Sequence, residues 1–216
     1  MTKRFKSILE WFFCILIAFV LSIIIKYYIG TPTVVEQSSM YPTLYEKDRL
    51  ILNRFSRTIK EEPIRGTIIT FEAPSIKKYT NSENIDLNNP IARYEKEPDS
   101  WWEKFTYYTL EIGKQSYIKR VIALQGEYVQ IQNGKVYING DELKEEYLIP
   151  GTETPDSVSG GIPFCDFIVP EGCVFALGDN RANSLDCREF GCIPIDKIES
   201  KVWIRFYPFN KIGKVN

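Results

Sequence analysis

Glu127-Tyr128-Val129-Gln130-Ile131-Gln132-Asn133-Gly134-Lys135-Val136-Tyr137-Ile138-Asn139-Gly140-Asp141 is the stretch whose reading decides the fold. Val129 and Ile131 alternate with polar residues, Asn133-Gly134 interrupts them, and Val136 and Ile138 take the alternation up again. Asn-Gly between two period-2 runs predicts a tight antiparallel hairpin, because both turn positions favour residues that accept positive φ. Asn139-Gly140 predicts a second reversal. Working outward, Arg65-Gly66-Thr67-Ile68-Ile69-Thr70-Phe71 reads as a turn entering a buried strand. Lys201-Val202-Trp203-Ile204-Arg205-Phe206 reads as a late strand closing the sheet. The expected class is mainly β, with an antiparallel core.

Between Pro74 and Gln115 the pattern breaks into a polar stretch followed by Trp101, Trp102, Phe105, Tyr108 and Ile112 at helix-like spacing. A loop and a short amphipathic helix, spanning about residues 75–115, are therefore expected as an insertion into the β domain. Its aromatic residues are expected to pack on the sheet, with a membrane-interface contact as the alternative.

The 216 residues carry a formal net charge of -1 and 44% hydrophobic residues, which suits one globular domain plus an appendage and gives no sign of nucleic-acid binding. Trp11 to Ile29 is apolar apart from Ser22 and Lys26. As a helix it would span about 28 Å, enough to cross a bilayer. Lys26 could snorkel to the headgroups beside Tyr27 and Tyr28. Lys3, Arg4 and Lys6 precede the span, so the positive-inside rule puts residues 1–10 in the cytoplasm, 11–29 in the membrane and 30–216 outside. An uncleaved anchor fits better than a cleaved signal peptide, whose apolar part would be shorter and followed by a small-x-small pair. Cys165, Cys173, Cys187 and Cys192 could form two disulfides on that side or remain buried thiols. Their spacing is not a zinc pattern, and no metal is expected.

There is no histidine in the chain. A serine in Ser39-Met40-Tyr41-Pro42-Thr43-Leu44 could act as a nucleophile only with lysine or carboxylate as its base. Lys119, within Tyr117-Ile118-Lys119-Arg120-Val121-Ile122, is the best candidate, because an apolar strand desolvates an ammonium and lowers its pKa. Alone, either signal is weak: Ser38 is equally available, and strand lysines are usually exposed and idle. A third segment, Gly178 to Gly191, packs turn formers, carboxylates and arginines together. Asp186 and Arg188 could pair to rigidify that loop, and the Ser184 hydroxyl could orient a neutral lysine. An ordinary ion-paired surface turn is the plainer reading.

Taken in order, the N-terminal anchor, Ser-Met-x-Pro-Thr-Leu, Arg-Gly-x-Ile, Lys-Arg-Val-Ile and Gly-Asp-Asn-Arg-x-x-Ser-x-Asp-x-Arg-x-x-Gly resemble type I signal peptidase, the bacterial leader peptidase. The resemblance implies a β catalytic domain, Ser39 as nucleophile, Lys119 as general base, Ser184 as the lysine-orienting serine, and Asp186 with Arg188 as a structural ion pair. It also implies an oxyanion held by the backbone N–H of Ser39, with Gln37 at the position that sometimes supplies a second donor. Met40, Leu44, Tyr117 and Ile118 are the candidates for the substrate pocket. The implied activity is removal of signal peptides from exported preproteins after a small-x-small site, through an acyl-enzyme. It would need no cofactor and would be carried out by a single-pass, monomeric protein of the cytoplasmic membrane facing outward. Departures from the pattern include Gln37, Thr67, Ala123, Gln125, Glu127 and Cys187. The last would allow a disulfide to Cys192 beside the site. A Ser-Lys peptidase dedicated to a narrow substrate set and an inactive membrane-tethered scaffold are the alternatives; the presence of both Ser39 and Lys119 weighs against the second.

Overall fold

The computed structural model describes residues 3–80, 86, 87, 89–94 and 98–215. Helix α1 (Lys3–Ile24) runs into a π-turn at Ile25–Ile29. Then follow β1 (Gly30–Val34), β2 (Arg49–Asn53), α2 (Phe55–Thr58), β3 (Ile68–Glu72), α3 (Trp101–Lys104), β4 (Ser116–Leu124), β5 (Tyr128–Gln132) and β6 (Lys135–Ile138). The chain ends with β7 (Asp141–Glu142), β8 (Asp166–Ile168), β9 (Cys173–Leu177), α4 (Cys187–Phe190), β10 (Ile193–Pro194), β11 (Ile198–Tyr207) and β12 (Gly213–Lys214). One sheet has the order β1-β2-β11-β3-β4-β9-β10, with β12 on β11; the other has the order β7-β6-β5-β8. All strand pairs in both are antiparallel.

The hairpin forms as the sequence predicts. Gln132 pairs with Lys135 and Val129 with Ile138, across Asn133 and Gly134 at φ 52° and 73°. Val129, Ile131, Val136 and Ile138 are buried against residues of the larger sheet such as Phe71, Ile122 and Phe175, so the main core lies between the sheets. The late strand differs from expectation: β11 lies between β2 and β3, inside the sheet rather than closing it. Sheet order follows pairing energetics, and β11 is long enough to hold both neighbours at once.

A smaller core of Val35, Met40, Leu44, Leu50, Leu52, Ile68 and Val202 sits under the turn that follows β1. Full burial of Met40 and Leu44 contributes about 1.5–3 kcal/mol each and holds that turn against the sheet.

Among the described residues, one helical stretch, Lys6–Ile29, is long and apolar enough to cross a membrane, and none of it is packed inside the protein. Its outer end is tied to the β domain. Arg57 donates to the Tyr27 carbonyl at 2.9 Å and stacks on the Tyr27 ring, while Lys26 pairs with Glu111 at 3.1 Å. The insertion does contain a helical stretch, α3 continued by a π-turn to Thr109. Its aromatic residues divide. Tyr107 turns inward and donates to Glu72 at 3.0 Å, whereas Trp101 and Trp102, 75% and 59% exposed, stack with Phe105 away from the sheet. The expectation that these two pack on the sheet is therefore corrected. Part of the insertion's polar stretch lies outside the described residues.

Candidate active site

Ser39 sits in a 3-10 turn, Ser38–Met40, at the end of the segment leaving β1. Lys119 is on β4, whose apolar character buries it to 2% exposure, and its Nζ lies 2.8 Å from Ser39 Oγ. Burial is the main reason the Lys119 pKa falls from 10.5 to about 8; Asp186, Cys187 and Asp179 oppose the fall, and Arg188 adds to it. A hydroxyl and an amine in contact, with the amine near neutral at moderately alkaline pH, can exchange a proton without imidazole.

Residues distant in sequence hold the turn in place. Asn180 N–H donates to the Ser39 carbonyl at 3.0 Å, and the Asn180 amide to the Ser38 carbonyl at 3.1 Å. Gly178 packs so closely that a Cβ there would lie 2.5 Å from the Ser39 carbonyl oxygen and 2.1 Å from Ser184 Oγ. Asp186 and Arg188 form the expected pair through two contacts of 2.9 Å, both fully buried. Arg188 also donates to the carbonyls of Pro155 and Arg181, so the pair closes the loop on itself. Burial alone would raise the Asp186 pKa; the Arg188 charge and hydrogen bonds, with the Gly178 N–H and Lys119, carry it below the usual carboxylate value.

Ser184 is brought beside this turn, but its Oγ is buried and, among the described residues, has no hydrogen-bond partner, Lys119 included. Gln37 stands exposed at the mouth of two adjoining cavities, of about 520 and 370 Å³, that share Ser39, Tyr117 and Lys119. Of the four pocket residues read from the sequence, Tyr117 and Ile118 line the larger cavity. Met40 and Leu44 do not. Both side chains point to the inner side of the turn, where apolar burial draws them into the small core, and Val35 and Leu52 line the cavity instead. The described cysteines are free thiols. Cys187 Sγ accepts from Ala176 N–H at 3.2 Å.

Residues 8–207 match the family described as Signal peptidase, peptidase S26. The chain belongs to that family. Signal peptidase I T of Bacillus subtilis (strain 168) is 30% identical over 97% of this chain and 91% of its own, and signal peptidase I S of the same strain is 31% identical over 98% and 95%. A solved signal peptidase I from Enterococcus faecalis V583 aligns with 65% of this chain and 97% of its own at 25% identity, with a TM-score of 0.38.

One part of this candidate site was not read from the sequence. Arg120, next to the lysine, grips Asp179 through contacts of 2.9 and 2.7 Å, and Thr43 donates to the same carboxylate at 2.5 Å. Arg120 also donates to the Gly66 carbonyl at 2.8 Å and lies 3.9 Å over the Tyr147 ring. This clamp joins β4, the Ser39 segment and the loop after β9. Its available signal was the period of a strand: if Lys119 faces the cavity, Arg120 must face the other way and needs a buried anion.

Proposed function

We propose that this chain removes signal peptides from exported preproteins after a small-x-small site, with Ser39 as nucleophile and Lys119 as general base. The observation that carries the reading is the 2.8 Å contact between two buried side chains, one of them a lysine with a depressed pKa, in a chain without histidine. The Ser39 proton passes to neutral Lys119 as Oγ attacks the scissile carbonyl. The oxyanion is held by the Ser39 backbone N–H and the Gln37 side-chain amide. On collapse the leaving amine takes the proton back from Lys119, and an ester to Ser39 remains. Lys119 then takes a proton from water, whose oxygen attacks the ester and frees the enzyme.

The Ser184 hydroxyl is the acceptor we assign to Lys119 once it has become an ammonium, because it is buried near Ser39 and has no hydrogen-bond partner among the described residues. The Asp186–Arg188 pair holds that loop. Two strand edges support binding of substrate in extended form: β1 ends the larger sheet, and Ser116–Lys119 of β4 lies before the residues that pair with β9. The Lys6–Ile29 helix supports a single-pass anchor in the cytoplasmic membrane with the β domain outside, which would keep the site near emerging preproteins.

Incubating a detergent-solubilised preprotein with the wild-type chain, Ser39→Ala and Lys119→Ala, and sequencing product N-termini, tests the reading. Cleavage after small-x-small that both substitutions abolish is expected; activity surviving Ser39→Ala would exclude the mechanism.

A further inference from the structure

The larger cavity does not end at the dyad. It continues between β1 and the start of β4 to a charged end bordered by Lys26, Arg54, Glu111, Lys114 and Glu199. Arg54 is 3% exposed, and its guanidinium has one partner, Glu111 at Nη2; Nε and Nη1 are buried without any among the described residues. Glu111 is shared, because its other oxygen pairs with Lys26 at 3.1 Å. Lys114 is matched by Glu199 at 2.6 Å, with Glu72 and Lys197 near it. Two cations thus divide one carboxylate, and the remaining charge at this end of the cavity is positive. Buried nitrogens act through a low dielectric, so an anion placed near them is attracted more strongly than it would be in water.

Strand geometry says where along a substrate this end falls. Lys114 precedes Lys119 by five residues, and pairing to β3 persists at Gln115, whose carbonyl accepts from Ala73 N–H at 2.9 Å. At roughly 3.3 Å per residue that is about 17 Å from the base. A peptide extended along β4 with its scissile bond at Ser39 therefore brings its fifth or sixth residue before the cut to the charged end. Lys26 belongs to the outer turn of the anchor, so this is also the side from which a membrane-inserted substrate would arrive.

We propose that Arg54, with Lys26, forms a subsite that selects an acidic side chain five or six residues before the cleavage site. The inference rests on the peptidase reading above. Its basis is the shared Glu111 and the two buried guanidinium nitrogens of Arg54, Nε and Nη1, that have no partner among the described residues, and it makes Arg54 and Lys26 specificity-determining rather than catalytic residues.

The test uses the full chain in phosphatidylcholine vesicles and two preproteins that differ only in Glu or Gln at those positions. The Glu form is expected to be cut with about tenfold higher kcat/KM, carried by KM. Arg54→Gln should bring the ratio to about one, Lys26→Gln should lower it, and Glu111→Gln should raise it. If Arg54→Gln fails to fold, the substitutions at the half-buried Lys26 and Glu111 decide the matter alone. A wild-type ratio of one, or a ratio that neither Lys26→Gln nor Glu111→Gln moves, overturns the subsite. So does a preference abolished by adding phosphatidylglycerol, which would give the site to a lipid phosphate. Failure of the wild-type chain to cut either preprotein would instead count against the peptidase reading.

Discussion

Replacing Lys119 by methionine should abolish cleavage and, at neutral pH, make the protein more stable. A fall in lysine pKa from 10.5 to about 8 on folding corresponds to about 3 kcal/mol of unfavourable free energy in the folded, protonated state. Methionine removes that cost and conserves most of the volume, but leaves the buried Ser39 hydroxyl without its 2.8 Å partner, a loss of about 1 kcal/mol. The net gain expected is about 2 kcal/mol at pH 7. The sign of its pH dependence follows from the same shift. Below pH 8 the lysine is protonated in both states and the whole cost is present. Between about 8 and 10.5 the unfolded chain binds a proton that the folded one does not, so the stability of the wild type climbs relative to the variant. Near pH 10.5 less than about 1 kcal/mol of the cost remains, and the variant's advantage should vanish or reverse. Guanidinium denaturation of both full-length chains in the same detergent, at pH 7, 9 and 10.5, measures the difference while other titrations cancel. A variant less stable than wild type at pH 7, or a difference flat across the three pH values, would refute a lysine buried at the cost of its charge.

Three further outcomes follow from the same geometry. Wild-type kcat/KM should rise about tenfold per pH unit up to about pH 8 and level above it, as the free-base fraction of Lys119 does; a pH–rate profile with no inflection between 7 and 9 would contradict that. Gly178→Ala places a methyl within 2.5 Å of the Ser39 carbonyl oxygen and 2.1 Å of Ser184 Oγ, so a loss of about 1–3 kcal/mol in stability and a fall in kcat are expected, read by melting and by single-turnover cleavage. Arg120→Lys breaks a two-point grip on a buried carboxylate and should cost about 3 kcal/mol or more with reduced kcat, while Arg120→Met combined with Asp179→Leu should recover much of the stability; denaturation of the single and double variants separates these.

What could be read from the sequence was set by how locally each feature is encoded. The Asn133-Gly134 hairpin needs only consecutive residues, since the turn's φ values and the alternation on either side fix its register. The place of β11 within the sheet was not legible, because pairing partners are chosen among all strands at once. Met40 and Leu44 were misread for a related reason: nearness to Ser39 in sequence does not say which side of a turn a residue faces, and apolar burial took both inward. Trp101 and Trp102 carried helical spacing correctly but not the direction of their exposed face.

The Lys119-Arg120 pair shows how far a single local rule can reach once one contact is known. Successive side chains of a strand leave on opposite faces. One face of β4 carries the amine to Ser39, across 80 residues of sequence; the other carries the guanidinium to Asp179, across 59. Asp179 in turn accepts from Thr43, four residues past Ser39, and Asn180 donates to the carbonyl of Ser39 itself. The proposed base and the brace of the proposed nucleophile are thus adjacent residues of one rigid strand. A displacement of β4 would move both together, so the 2.8 Å contact is preserved by the clamp behind it and not by Ser39 and Lys119 alone.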